Sequence, residues 1–279
     1  MTRNRDSLRN LRRDKRAVSP AISTVVLTSA VVVLLVVTIA FANNFLDARL
    51  AENEFTAMEQ FMQTVGLQID DVAWIIGRTQ TITYASKYGQ VNFENEALVY
   101  SVYVDDVFFA NYSVGVLLFN MPISRYSVGN YYYECIFPSD RSFLHEGTSA
   151  PVSYVYARER LPMLDGSFIR VVVAPTIRML NSTISMGEEE NNYFKFYLPV
   201  LTNGTSPYHS QSVTLTGKDV SVKTEDNVNE VRIEISFPRM DEFFDYLFFN
   251  FEEGEKVVAV PEDSIIEFYT SEVSVSLGL

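Results

Sequence analysis

The chain has 279 residues, 22 Lys+Arg against 35 Asp+Glu, and a formal net charge of −13. That length allows one or two domains, and an apolar share of 47% excludes disorder as the main state. One Cys and two His exclude a disulfide framework, a thiolate cluster and a His-rich metal site, and so acidic a chain argues against nucleic acid as a partner.

The charge is unevenly placed. Residues 1–16 hold Arg3, Arg5, Arg9, Arg12, Arg13, Lys15 and Arg16 against Asp6 and Asp14, a net +5, so the rest of the chain carries −18. Between Arg16 and Asp47 no residue is charged. The apolar core of this run, Ala21 to Ala42, has the length of a bilayer-crossing helix, roughly 20 residues. A single segment in hydrocarbon must satisfy its own backbone, so helix is expected despite the many valines. The Lys/Arg cluster lies on the N-terminal side only, which places the N-terminus in the cytoplasm and the rest outside.

Three readings compete for this segment. A secretory signal peptide would be cut at Ala40-Phe41-Ala42, but the apolar region exceeds the roughly 7–15 residues such signals use. A plain N-terminal anchor fits length and charge with no further assumption. The third reading rests on the junction Lys15-Arg16-Ala17-Val18-Ser19-Pro20. Here the sequence resembles archaeal type IV pilins, whose precursors carry a basic leader, a small residue and a VSPxI-like opening of a long apolar helix. The resemblance covers roughly the first 45 residues. It implies cleavage by a prepilin peptidase between Ala17 and Val18, with Arg16, Ala17 and Val18 as the processing site. The bacterial pattern has Glu at the fifth mature position; this chain has Ile22 there, in agreement with the archaeal pattern. Ser19 suits a helix N-cap and Pro20 the first helical position, so the pair marks an expected helix start.

Past Phe45 the chain turns amphipathic. Apolar residues at Ala48, Ala51, Phe55, Met58, Met62, Val65, Ile69, Val72 and Ile76 alternate spacings of three and four, a heptad seam. Phe61, Leu67, Trp74 and Ile75 widen it into a broad face suited to a sheet. Gly66 is the weak point and Gly77 the expected C-cap.

From Thr79 onward short strands are expected: 81–85, 97–104, 112–120, 131–137, 152–158, 168–174, 193–201, 212–216, 220–224, 231–237, 256–260 and 265–277. One more helix is expected within 239–250. Asp105-Asp106 reads as a hairpin turn, and Gly204 and Gly217 as turn glycines. The predicted fold is α+β: a long N-terminal helix, membrane-spanning then amphipathic, followed by a large antiparallel β-rich ectodomain. Its expected segments are a leader at 1–17, a membrane or filament-core helix at 18–45, an amphipathic continuation at 46–78, a first sheet on the helix at 79–150 and a sandwich-like part at 151–279.

Sequons at Asn111, Asn181 and Asn203 are candidate glycosylation sites; the last two sit in loop-like sequence. Catalysis has little support. His145 and His209 lack an evident nucleophile or orienting partner, and Cys135 in an aromatic strand reads as a buried structural thiol. The acidic clusters Asp70-Asp71, Asp105-Asp106, Glu188-Glu189-Glu190 and Glu252-Glu253 match no calcium loop. No cofactor and no metal are expected. The resemblance implies a pilin-like subunit of an archaeal surface filament, a minor or tip one by its size. Its partners would be the membrane, crossed once with the N-terminus inside, a prepilin peptidase and other pilin-like subunits. A membrane-anchored ectodomain that binds or adheres without polymerising is the alternative, and an enzyme is the least supported reading.

Overall fold

The structure is a computed structural model that describes residues 15–160, 167–186, 189–204, 211–239 and 244–278, of which 15–21, 185–186 and 189–190 are described by backbone alone. The chain divides into two compact units, Met1–Leu50 and Ala51–Leu279.

The long helix α1 runs Lys15–Ala73. Valine and isoleucine lower helix propensity by only tenths of a kcal/mol each, too little to break a segment whose backbone bonds close within itself. The first described residue, Lys15, is already helical, so Ser19 and Pro20 lie inside α1 rather than opening it. Pro20 has no N–H to offer the Arg16 carbonyl one turn earlier, so α1 forgoes that one backbone bond. The leader residues 1–14 lie outside the described residues.

In the second unit, eleven described strands form one sheet. They are β1 (Thr79–Thr83), β2 (Gln90–Val104), β3 (Val107–Pro122), β4 (Tyr133–Phe137), β5 (Leu144–Glu146), β6 (Ser153–Glu159), β7 (Phe168–Pro175), β8 (Ile177–Met186), β9 (Glu189–Asn203), β10 (Ser212–Ser236) and β11 (Glu255–Leu277). The order is β4-β6-β7-β3-β2-β10-β11-β9-β8-β5, with β1 paired to the first residues of β10. The expected division into a sheet at 79–150 and a sandwich at 151–279 therefore gives way to one sheet: β3 pairs with β7, and β2 with β10. The reason is visible in β3, which is buried without interruption from Val114 to Met121 and so needs apolar cover on both faces and a neighbour on both edges. Gly147–Pro151 is only the link from β5 to β6.

The antiparallel expectation holds in part, for the sheet is mixed. β9 runs parallel to β11, and β5 to β8. β11, the last strand, inserts between β9 and its successor β10, so it must be parallel to one and antiparallel to the other. Three expected strands fuse into β10 and two into β11, a long hairpin whose register shifts at Gly217/Asp219 and between Glu225 and Glu230. β5 and β8 were not anticipated.

Alternation splits the sheet into two apolar faces. Leu117, Phe119 and Met121 of β3, Val171 and Val173 of β7, and Val155 and Ala157 of β6 join Phe55, Met58, Met62, Val65, Ile69 and Val72 of α1 in one cluster. Their sequence neighbours Val116, Leu118, Val172, Tyr154 and Tyr156 face a second cluster with Phe196 of β9 and Phe268 of β11. The sheet curls to close this second core on itself: Tyr112 stacks on Phe268 at 5.2 Å, and Phe268 on Phe196 at 5.7 Å.

The seam positions from Phe55 to Val72 are thus buried, but Ile76 is 64% exposed. α1 stops at Ala73, so the helical period no longer applies three residues later. Leu67 and Ile75 are also exposed, which leaves the buried face narrower than expected. Gly66 has a packing role. Ser153 Oγ donates to its carbonyl at 2.9 Å, and a Cβ there would stand 2.9 Å from Val155 Cγ2. Gly77, at φ +82°, ends the turn after α1 and donates its N–H to the Gly217 carbonyl at 2.8 Å. Gly217 is not a turn residue but lies within β10. Of the helix expected within 239–250, residues 240–243 lie outside the described residues, and α2 is Tyr246–Phe249. Asp245 caps it by accepting from Phe248 N–H at 2.8 Å and is gripped at both oxygens by Arg160.

Candidate functional site

From Ile22 to Leu50 every side chain is exposed. By length and composition α1 is the one described helix able to cross a membrane. Its hydroxyls are closed on their own helix: Ser29 Oγ donates to the Val25 carbonyl and Thr38 Oγ1 to the Leu34 carbonyl, both at 2.7 Å, and Thr28 Oγ1 to the Thr24 carbonyl at 2.9 Å. Polar groups satisfied this way add little cost in lipid. The first charges return just beyond, where the Arg49 guanidinium lies over the Phe45 ring at 5.3 Å. An apolar surface of this length, uncovered within its own unit, is the most functional-looking feature of the chain.

The processing residues Arg16, Ala17 and Val18 lie in α1 by backbone, with their side chains outside the described residues. All three sequon asparagines are exposed. Asn111 stands in β3 as anticipated, but Asn181 lies within β8 rather than in a loop, and Asn203 is the last residue of β9, with Thr205 outside the described residues.

The residues weighed for chemistry do not converge. His145 is buried in β5, its Nδ1 3.4 Å from Asp140 and its Nε2 without a partner. Burial lowers its pKa against the raising influence of Asp140 and Ser142. His209 lies outside the described residues. Cys135 is half-buried rather than fully buried; its Sγ donates to the Pro138 carbonyl at 2.6 Å, and burial raises its thiol pKa. A thiol held protonated is a poor nucleophile. Asp70 is engaged by Trp74 Nε1 and by Arg178, each at 2.8 Å, and Asp71 pairs with Arg78. Among the described residues no three His, Cys, Asp or Glu side chains group as metal ligands.

Two carboxylates organise loops around α1 and β6 that no spacing in the sequence announces. Glu54 accepts from Ser86 Oγ at 2.5 Å and from the N–H groups of Lys87, Tyr88 and Gly89 at 2.9, 3.0 and 3.1 Å. Burial alone would raise its pKa, but these four bonds outweigh it and hold the carboxyl below its ordinary value. Glu159, buried in β6, accepts from Ser127 Oγ, Val128 N–H and Gly129 N–H. Their partners lie some 30 residues away in the chain, which is why periodicity misses them.

Glu59 behaves oppositely. Partial burial of this α1 residue, reinforced by the nearby charge of Glu134, pushes its carboxyl up to about 7. A raised folded-state pKa means that the protonated form is the comfortable one. The stability from this group is complete below about 4.5 and is lost as pH rises through about 7. Replacing Glu59 by Gln should therefore raise the melting temperature at pH 8 by about 2–4 °C, after discounting for partial exposure. At pH 4 it should leave it unchanged. Thermal melts of both forms across that range check this; equal melting temperatures at pH 8 would contradict it.

The fold and this segment define the class of protein: an α+β chain with an apolar N-terminal helix, long enough to cross a membrane, leading into a sheet domain. Comparison with protein-family models, with curated proteins and with solved structures gives no match.

Proposed function

We propose that this chain is a pilin-like structural subunit of an archaeal type IV-type surface filament, matured by a prepilin peptidase. The observation that carries the reading is the exposed, uncharged helix of residues 22–45, flanked by the basic Lys15-Arg16 junction on one side and continuing into a domain-packed half on the other. The basic leader holds the N-terminus in the cytoplasm. Cleavage between Ala17 and Val18 removes residues 1–17. The helix then leaves the lipid and packs against the same segment of neighbouring subunits, exchanging lipid contacts for helix–helix contacts. The sheet domain faces outward, where sugars at Asn111, Asn181 and Asn203 would meet no buried surface.

The mature N-terminus tests this. Mass spectrometry of the protein isolated from an expressing archaeon is expected to find Val18 as the first residue. Replacing Arg16 and Ala17 together should leave the leader in place and slow the product's electrophoretic migration. An intact leader on the native chain, or cleavage after Ala42, would overturn the reading.

A further inference from the structure

We infer that the cleft between the β2–β3 turn and the bulge of β10 is a docking site for a basic, apolar-flanked segment of another protein. The cleft encloses about 320 Å³. One wall is the turn itself. Asp105 and Asp106 both take positive φ, 47° and 61°, which makes a two-residue hairpin turn. The next two residues are Val107 and Phe108, 69% and 57% exposed. Phe108 rests edge-on against Tyr103, their ring centroids 5.8 Å apart, yet it and Val107 both stay more than half exposed beside the cleft, an apolar surface that a partner would cover. The other wall is β10 where its ladder with β11 slips between Glu225 and Val228, with Asn227 at φ +59°.

The walls are tied to each other without any ligand. Asp105 Oδ1 accepts from Asn229 N–H at 3.1 Å and Glu230 N–H at 2.9 Å, and its own N–H donates to the Glu230 carbonyl at 3.1 Å. A preformed site loses little entropy on binding.

Charge identifies the occupant. Glu225 and Asp226 line the cleft, and among the described residues neither has an ion-pair partner. The two cations nearby are otherwise engaged: Lys223 lies over Phe109 and Tyr112 at 5.9 Å, and Arg232 lies over Tyr103 at 4.2 Å with Asp106 3.5 Å away. A second copy of this chain is a poor occupant. Beyond residue 16 it carries −18, and its Arg78, Arg160, Arg178, Lys195 and Arg239 are already paired with its own carboxylates. A partner that sets an apolar side chain between Val107 and Phe108, and a Lys or Arg toward Glu225 and Asp226, satisfies both features. The apolar contact supplies affinity and the acidic pair supplies steering. This site stands whether or not the helix polymerises.

The test uses the full chain in non-ionic micelles and a fluorescein-labelled peptide of alternating leucine and lysine, read by anisotropy against empty micelles. Saturable binding that weakens with salt is expected. Phe108→Ser should weaken it about tenfold, and Glu225→Gln with Asp226→Asn at least about fivefold. Glu252→Gln with Glu253→Gln, an acidic pair elsewhere on the surface, should leave it unchanged. No saturable binding, an equal response of all variants, or equal binding of a control peptide of alternating leucine and glutamate would each overturn the proposal.

Discussion

Replacing Gly217 by alanine is expected to destabilise the sheet domain by about 3 kcal/mol, and by valine more. A Cβ at this position would lie 2.6 Å from the Ile75 carbonyl oxygen and 2.7 Å from that of Val72. Both obstacles are backbone, so no side chain can swing aside. The close approach is there because the turn after α1 is stitched to β10 at this point: Gly77 N–H donates to Gly217 O at 2.8 Å, and Gly217 N–H donates to Arg78 O at 3.0 Å. Moving the helix end outward to admit a methyl group would break both bonds and pull Val72 from the core. The chain's single tryptophan, Trp74, sits at this junction with its ring 5.2 Å from Tyr197, so its fluorescence reports on it directly. Melts of the detergent-solubilised chain should show a fall of about 6–12 °C for Gly217→Ala. Gly254→Ala is the control, since nothing stands within 4 Å of a Cβ there. Equal melting temperatures for the two variants would mean that the helix end does not press on β10.

The second large effect separates two residues that share one periodic seam. Ile69→Ala is expected to cost about 2–5 kcal/mol, because Ile69 is fully buried between α1 and the sheet and its loss leaves a cavity. Ile76→Ala, seven residues on, is expected to change stability by less than about 0.5 kcal/mol, since that side chain is 64% exposed. The reason is the end of α1 at Ala73 and the left-handed Gly77, which turn the chain away before the seam completes another period. Urea titration followed by circular dichroism of the β signal gives both values. A cost above about 2 kcal/mol for Ile76→Ala would restore the longer seam and contradict the helix boundary.

The folding of α1 was legible early because its signals are local. An uncharged run and a three–four spacing each need only neighbouring residues, and Asp105-Asp106 announced its hairpin for the same reason. Strand positions were also largely legible, since alternation is local, although Val220–Thr224 and its neighbours looked like separate strands where β10 runs through. What escaped was everything that depends on a partner far along the chain. β8 follows β7 after a single residue, Thr176, and so reads as its continuation until β9 is seen pairing with it. Gly217 looked like a turn because a glycine demanded by an approaching carbonyl is indistinguishable in sequence from one demanded by a positive φ. Val107 and Phe108 fall between the expected strands 97–104 and 112–120, and nothing local says that no core covers them.

Sequence by itself therefore determined the basic tip, the apolar helix, its amphipathic continuation and the strand-rich remainder, because charge, hydropathy and period are carried by adjacent residues. Tertiary structure alone decided that the remainder is one mixed sheet, that β11 enters between β9 and β10, and that an acidic, apolar cleft opens where a hairpin turn meets a bulge. Those features are set by strand order and register. Order and register are chosen by the summed burial of both sheet faces over the whole domain, a quantity that no window of sequence contains.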